Sequence, residues 1–195
     1  MSCFTPGTLI ATPKGERRVE ELHAGDRVVT RDNGIRTLSW TGRRRVWPHQ
    51  MARAEHLQPV LIRAGALDFD LPERDMLVSP NHRVLVANDR TALYFEESEA
   101  LAAAKFLTGL VGISRAEMSE VSYIHIAFDT HEVVLSDGAW SECFQPADPS
   151  RTGVGGGNAQ RNELYELFPA LKTRQSAAPV RAPATGDGPD LRLMT

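Results

Sequence analysis

The chain has 195 residues with 22 basic and 25 acidic side chains, a formal net charge of −3. That length suits one domain, or one domain and a tail, large enough for a core of its own, and the near-balance of charge leaves no nucleic-acid footprint. No apolar run reaches the roughly 18 residues that a membrane helix needs, and Met1-Ser2 does not lead into the charged-then-apolar pattern of a signal peptide.

Along the chain the periodicity is that of short strands. Thr8–Thr12 reads as a strand closed by the turn Pro13-Lys14-Gly15. Arg17–Leu22 leads to the turn His23-Ala24-Gly25-Asp26 and a strand over Arg27–Thr30. Asp32-Asn33-Gly34 is a hairpin signal joining that strand to another over Arg36–Trp40. The basic run Arg43-Arg44-Arg45 is short enough to be a solvated loop or strand face. Pro59–Arg63, Met76–Ser79 and His82–Ala87 are further strands. Glu96–Lys105 carries apolar residues at helical spacing and predicts one short helix. Val121–Phe128 and Glu132–Leu135 are read as the last hairpin, with Trp140–Phe144 completing the return. Many short strands with regular turn signals predict an all-β domain.

A boundary is expected near residue 150, giving a domain over 1–148 and a second region over 149–195. Pro149–Gly153 and Gly155-Gly156-Gly157 make a flexible break. Asn162–Leu171 predicts a short amphipathic helix, with Asn158 or Asn162 as N-cap and Pro169 at its end. Beyond Thr173 the Ala/Pro/Gly-rich tail reads as extended or disordered.

The densest run stands at the amino end. Cys3-Phe4-Thr5-Pro6-Gly7-Thr8-Leu9-Ile10 continues through Glu20, Leu22, Gly25, Asp26 and Val28. It resembles the first block of the Hint family, the self-processing domains shared by Hedgehog proteins and inteins. Two later stretches match in order and spacing. Residues 77–86 (LVSPNHRVLV) are similar to the second block, with Ser79 and His82 in the Thr/Ser-x-x-His arrangement. Residues 125–144 (HIAFDTHEVVLSDGAWSECF) are similar to the closing block, with His131 and Gly138. The resemblance covers about residues 3–146 and is closest in style to bacterial Hint domains, which occur alone or attached to larger exported proteins. It implies a flattened horseshoe in which two hairpin units are related by a pseudo-two-fold.

The resemblance also implies a chemistry. A thiol at Cys3 sits next to the Ser2 carbonyl, and an N–S acyl shift would convert the Ser2–Cys3 peptide into a thioester. Attack on an unactivated amide needs a strong nucleophile, and a thiolate is the best side chain for it. The leaving nitrogen must gain a proton, a task suited to a histidine; the family places its second-block histidine, here His82, beside that nitrogen. Ser79 is the residue to hydrogen-bond the same peptide and hold it strained. His131 either supports later steps, as closing-block histidines do, or caps a strand end. Asp26 reads as a turn residue that accepts backbone hydrogen bonds. His23, His49, His56 and His125 read as surface or packing residues.

Two cysteines are too few for a disulfide scaffold, and no Cys-x-x-Cys or His-x-x-x-His spacing points to a metal or other cofactor. By the family's geometry Cys3 and Cys143 are expected to lie close together, reduced or as a disulfide, and Cys143 is a potential acyl acceptor; the alternative is two unrelated buried thiols. Splicing needs a terminal His-Asn, and here the stretch is Ser141-Glu142-Cys143. Hedgehog-type sterol transfer needs an aspartate where this chain has Thr41-Gly42-Arg43. What remains is thioester formation at Cys3 resolved by water, a thiol or an amine, with the upstream segment as substrate and a monomer expected. The contrasting reading is a Hint-fold module that no longer cleaves and serves as a structural or binding part of an exported or surface protein. A multi-turnover enzyme is the least favoured. If Met1 is the true start, only Met-Ser stands upstream, and the chain is then either a fragment of a precursor or a stand-alone domain; the residues do not separate these.

Overall fold

The computed structural model describes residues 2–87, 99–143 and Phe168. They form thirteen strands with two single-turn helices, and every pair of strands is antiparallel. No helix in them is long and apolar enough to cross a membrane.

The first strands follow the turn chemistry. β1 (Leu9–Thr12) folds back on β2 (Gly15–Arg18) across a two-residue turn. A 3-10 turn over Val19–Glu21 then brings the Glu20 carboxylate to the Gly7 N–H, 2.8 Å away. The spaced Gly-Thr and Val-Glu pairs of the opening motif are thereby one contact. β3 (Arg27–Thr30) and β4 (Gly34–Thr37) form the hairpin signalled by Asp32-Asn33-Gly34. Asp26 accepts the His23 N–H at 2.9 Å and pairs with Arg17 at 3.2 Å. The backbone hydrogen bond chiefly, with Arg17 beside it, holds its carboxyl below the ordinary range.

The strand expected over Arg36–Trp40 is two strands. At Leu38 and Ser39 the chain changes partner: Leu38 N–H bonds back to Asp26, while Ser39 N–H bonds to Ala127. From there β5 (Trp40–Val46) runs the full length of β11 (Val121–Ala127), with His125 opposite Gly42. The three arginines lie on the exposed part of β5. The expected hairpin of Val121–Phe128 with Glu132–Leu135 is therefore corrected, because the ladder groups of β11 are taken by β5. The last hairpin is β12 (Glu132–Ser136) with β13 (Ala139–Cys143). Its turn is Asp137-Gly138, with φ of 46° and 83°. Those left-handed conformations match the tight hairpin turns that favour Asp-Gly.

Between these lie α1 (Pro48–Met51), β6 (Val60–Ile62), β7 (Met76–Val78) and β8 (Arg83–Val86). Next come β9 (Ala100–Ala103), α2 (Ala104–Leu107) and β10 (Ile113–Arg115). The helix expected over Glu96–Lys105 is corrected in its described part. Ala100–Ala103 is extended because all four residues pair with β8, and helix begins only at Ala104. Of the helix expected over 162–171, only Phe168 lies among the described residues; the linker and tail lie outside them.

The longest path through the sheets is β2-β1-β12-β13-β8-β9, with β3 also on β12; β10-β6-β7 and β11-β5 are separate. This open arrangement of paired short strands is the expected all-β class. Phe4 stitches the smaller sheets together, bonding Ile124 through both backbone groups at 2.9 and 2.8 Å and bridging Val78. Cys3 and Phe4 thus run through the interior between β7 and β11, which fixes the position of the Ser2–Cys3 peptide.

Candidate functional site

The site is best built around one peptide bond, between Ser2 and Cys3. Both residues are at most 1 % exposed. Ser79, at the end of β7, holds Cys3 from both sides. Its Oγ accepts the Cys3 N–H at 3.1 Å, and its own N–H donates to the Cys3 carbonyl at 3.0 Å. The nitrogen of the Ser2–Cys3 bond is thus tied to a buried hydroxyl.

The carbonyl of the same bond is held from β11. His125 is fully buried, and its Nδ1 lies 2.7 Å from the Ser2 oxygen. A carbonyl oxygen only accepts, so this contact requires the proton on Nδ1. The reading of His125 as a surface or packing residue is therefore corrected. The signal was present: a histidine inside the apolar run Tyr123-Ile124-His125-Ile126-Ala127-Phe128 is a polar group in a buried strand, and such groups need partners. His23, His49 and His56 are exposed.

Gly42 makes room for what covers His125. A Cβ there would meet the Trp40 ring at 2.0 Å. Without it, Trp40 lies against His125 at a ring separation of 5.9 Å and against Phe168 at 5.6 Å. Phe168 also packs in the core cluster that contains Cys3, Met51 and Tyr123. Aromatic rings thus exclude solvent from the bond.

A third group approaches Ser2 from β13. Glu142 is fully buried, and its Oε2 accepts the Ser2 hydroxyl at 3.3 Å. Its Oε1 faces His131 Nε2 at 3.0 Å and the Arg83 guanidinium, with Nη1 at 3.7 Å. His131 thus reaches Ser2 through Glu142. Neither Glu142 nor Arg83 was selected from sequence. A lone acid in the closing strand, Trp140-Ser141-Glu142-Cys143, carried the signal.

His82 lies one tight turn beyond Ser79, its N–H bonded to the Ser79 carbonyl at 2.9 Å. Its ring stands edge-on to Phe4 at 4.7 Å. The ring is fully buried, and neither nitrogen has a hydrogen-bond partner among the described residues. Burial pushes its pKa down to about 3, against the opposing pull of Glu142. A neutral imidazole in the interior without a hydrogen-bond partner among the described residues is costly, which makes His82 a candidate for a functional role.

Cys143 follows a different course. Alternation along β13 turns successive side chains to opposite faces, so Glu142 points to Ser2 while Cys143 packs with Phe4, Val28 and Val134. Cys3 belongs to another cluster. Both cysteines are buried thiols and no disulfide joins them. Burial chiefly, with Glu142 and Glu132 nearby, raises the Cys143 pKa well above its usual value. Among the described residues no group of three or more His, Cys, Asp or Glu side chains is placed to hold a metal ion.

The site can therefore do four things at one bond: present a thiol, polarise the carbonyl, bind the nitrogen and hold a neutral imidazole nearby. Among solved structures, the chain resembles the solution structure of a bacterial intein-like domain from Clostridium thermocellum, at 16% identity over 74% of this chain and 99% of that one, with a TM-score of 0.48. It resembles the MchDnaB-1 intein at 9% identity over 72% and 99% of the two chains, TM-score 0.47. The gp41-1 intein is similar at 10% identity over 71% and 96%, TM-score 0.42. No curated protein sequence matches. The family model described as "Hint domain" matches residues 2–148, three quarters of the chain, and the protein belongs to the Hint domain family.

Proposed function

We propose that this domain cleaves the bond before Cys3 through a thioester, without splicing. The observation that carries the reading is the double clamp on one peptide, with His125 on its oxygen and Ser79 on its nitrogen. Structural packing alone has no need to place a buried proton donor on a carbonyl and a hydroxyl on the adjoining N–H.

The steps follow from these positions. The Cys3 thiol passes its proton to His82 only as the sulfur attacks, because burial holds the imidazole pKa near 3 and makes a standing imidazolium unfavourable. The sulfur attacks the Ser2 carbonyl carbon, forming a C–S bond, and negative charge develops on the carbonyl oxygen against the His125 Nδ1–H. A preorganised donor aimed at developing charge is among the larger catalytic contributions known, about 3–4 kcal/mol for one hydrogen bond. The C–N bond then breaks, and the nitrogen takes the proton that His82 carries. The products are a thioester between Ser2 and Cys3 Sγ and an α-amino group on Cys3. Water or an added thiol resolves the thioester. An imidazole of such low pKa is a poor resting base but a strong acid once protonated, so it gives its proton readily to the leaving nitrogen. Cys143 takes no part, since its thiol stays protonated and faces the other side of β13.

The test is a reporter fused upstream of Ser2 in the full chain. Dithiothreitol is expected to accelerate reporter release, and Cys3→Ala to abolish it because no other side chain at this bond takes the acyl group. An intact fusion after prolonged incubation with thiol, with the fold retained, would instead favour a structural or binding module.

A further inference from the structure

Glu142 has no step in the acyl transfer above, yet it is a fully buried acid directed at the residue before the nucleophile. We infer that Glu142 reads that residue, selecting a hydroxyl-bearing side chain immediately upstream of Cys3. The inference rests on the cleavage reading and adds its sequence preference.

The two oxygens of Glu142 divide the work. Oε1 is directed to His131 and Arg83, which hold the carboxylate in place, with Arg83 supplying the opposite charge. Oε2 is directed to Ser2 Oγ at 3.3 Å. Hydrogen bonds to a charged acceptor are stronger than neutral ones, and removing one partner leaves the other buried and unsatisfied. With Ser2 itself 1 % exposed, an upstream residue has little room to send its side chain elsewhere. An apolar residue there would take this hydrogen bond from a buried carboxylate and set a side chain without a donor against it, and the strain is relieved by moving the backbone. The same backbone carries the carbonyl on His125, so the cost is felt at the reacting atoms. A small shift of a reacting group is enough to lower a rate substantially.

Threonine and valine at position 2 make the cleanest comparison, since they share a shape and differ in the hydroxyl. In the reporter fusion, Ser2→Thr is expected to release the reporter within about threefold of the parent rate, and Ser2→Val at least tenfold more slowly, the scale of one charge-assisted hydrogen bond. Adding Glu142→Gln should shrink the threonine–valine ratio to within about threefold. Equal rates for threonine and valine beside an intact Glu142 would overturn the inference while leaving cleavage standing.

A parent fusion that releases nothing, even with thiol, would fail the cleavage reading instead. The selection of the hydroxyl is then read from folding. In the Cys3→Ala background, the unfolding equilibria of the position-2 threonine and valine variants, each with and without Glu142→Gln, form a double-mutant cycle. A coupling of at least fivefold in the unfolding constant supports recognition, and no coupling overturns it. Ser2→Thr and Ser2→Val remain comparable if Glu142→Gln fails to fold.

Discussion

Ser79 and Cys3 exchange two hydrogen bonds, one through the serine hydroxyl and one through its backbone N–H. Only the first touches the nitrogen that leaves in the proposed cleavage. Ser79→Ala therefore deletes the contact on the scissile N–H while the backbone contact to the Cys3 carbonyl persists. Reporter release should fall about tenfold, the scale of one buried hydrogen bond to a reacting group, and Ser79→Thr should recover most of it because the hydroxyl returns. Thermal unfolding of the alanine variant checks that the loss is not a loss of fold.

Replacing His125 should be worse than replacing Ser79, because His125 meets the atom on which charge develops. His125→Ala is expected to slow release by about 100- to 1,000-fold, the range for removing one oxyanion donor. His125→Gln should recover part of that through its amide N–H, whereas His125→Phe, which fills the space without a donor, should not. Release rates for the three variants, read from the same fusion, decide whether the donor or the packing matters. A rate in the phenylalanine variant equal to that of the parent would remove His125 from the mechanism.

How much of this was legible in the sequence depends on the kind of information each residue carries. Turn chemistry spoke plainly at Asp32-Asn33-Gly34, which closes the expected hairpin because backbone conformation there is a local property, whereas the Asp137-Gly138 turn was passed over. Pairing was less legible. Val121–Phe128 was assigned the nearest later strand, but its seven-residue partner is β5, some eighty residues earlier, and no local signal specifies a distant edge. Ala100–Ala103 looked helical because apolar residues over Glu96–Lys105 recur at helical spacing, and a ladder with β8 outweighed that local pattern. In the site, Cys3, Ser79 and His82 were marked by motif. His125 and Glu142 were passed over because their role lies in what faces them, the oxygen and hydroxyl of Ser2, which a linear reading does not display.

Cys143 offers a negative test. Its thiol packs in the core with Phe4 and Val134, and burial keeps it protonated. Cys143→Ser should leave thiol-induced release within about threefold of the parent while lowering stability, since a hydroxyl replaces an apolar contact in a closed environment. Cys143→Ala should behave alike in rate. A release that collapses with either substitution, in a protein that still melts cooperatively, would mean that the acyl group passes through Cys143.

The last prediction concerns acid. Burial holds the His82 pKa near 3, whereas in the unfolded chain it returns to about 6.5. Between those values the unfolded state binds the proton that the folded state refuses, so stability rises with pH across that window and falls as pH drops through it. The full effect of such a shift is on the order of 5 kcal/mol, complete above pH 6.5 and gone below about pH 3. Asp137 pulls the other way. Burial chiefly raises its pKa from 3.8 to about 6, against the Leu9 N–H and Arg74. There the folded state holds the extra proton, and stability declines as pH climbs from 3.8 to 6. The two slopes partly cancel in the wild-type protein, which makes its acid limb shallower than His82 alone would give. His82→Asn removes the first slope and keeps the second. Urea unfolding at a series of pH values between 3 and 7 should therefore show wild-type stability rising with pH relative to the His82→Asn variant, with the difference levelling off above pH 6.5. A difference that stays constant across that range would mean that His82 is not held neutral in the fold, and the proton shuttle assigned to it would fail with it.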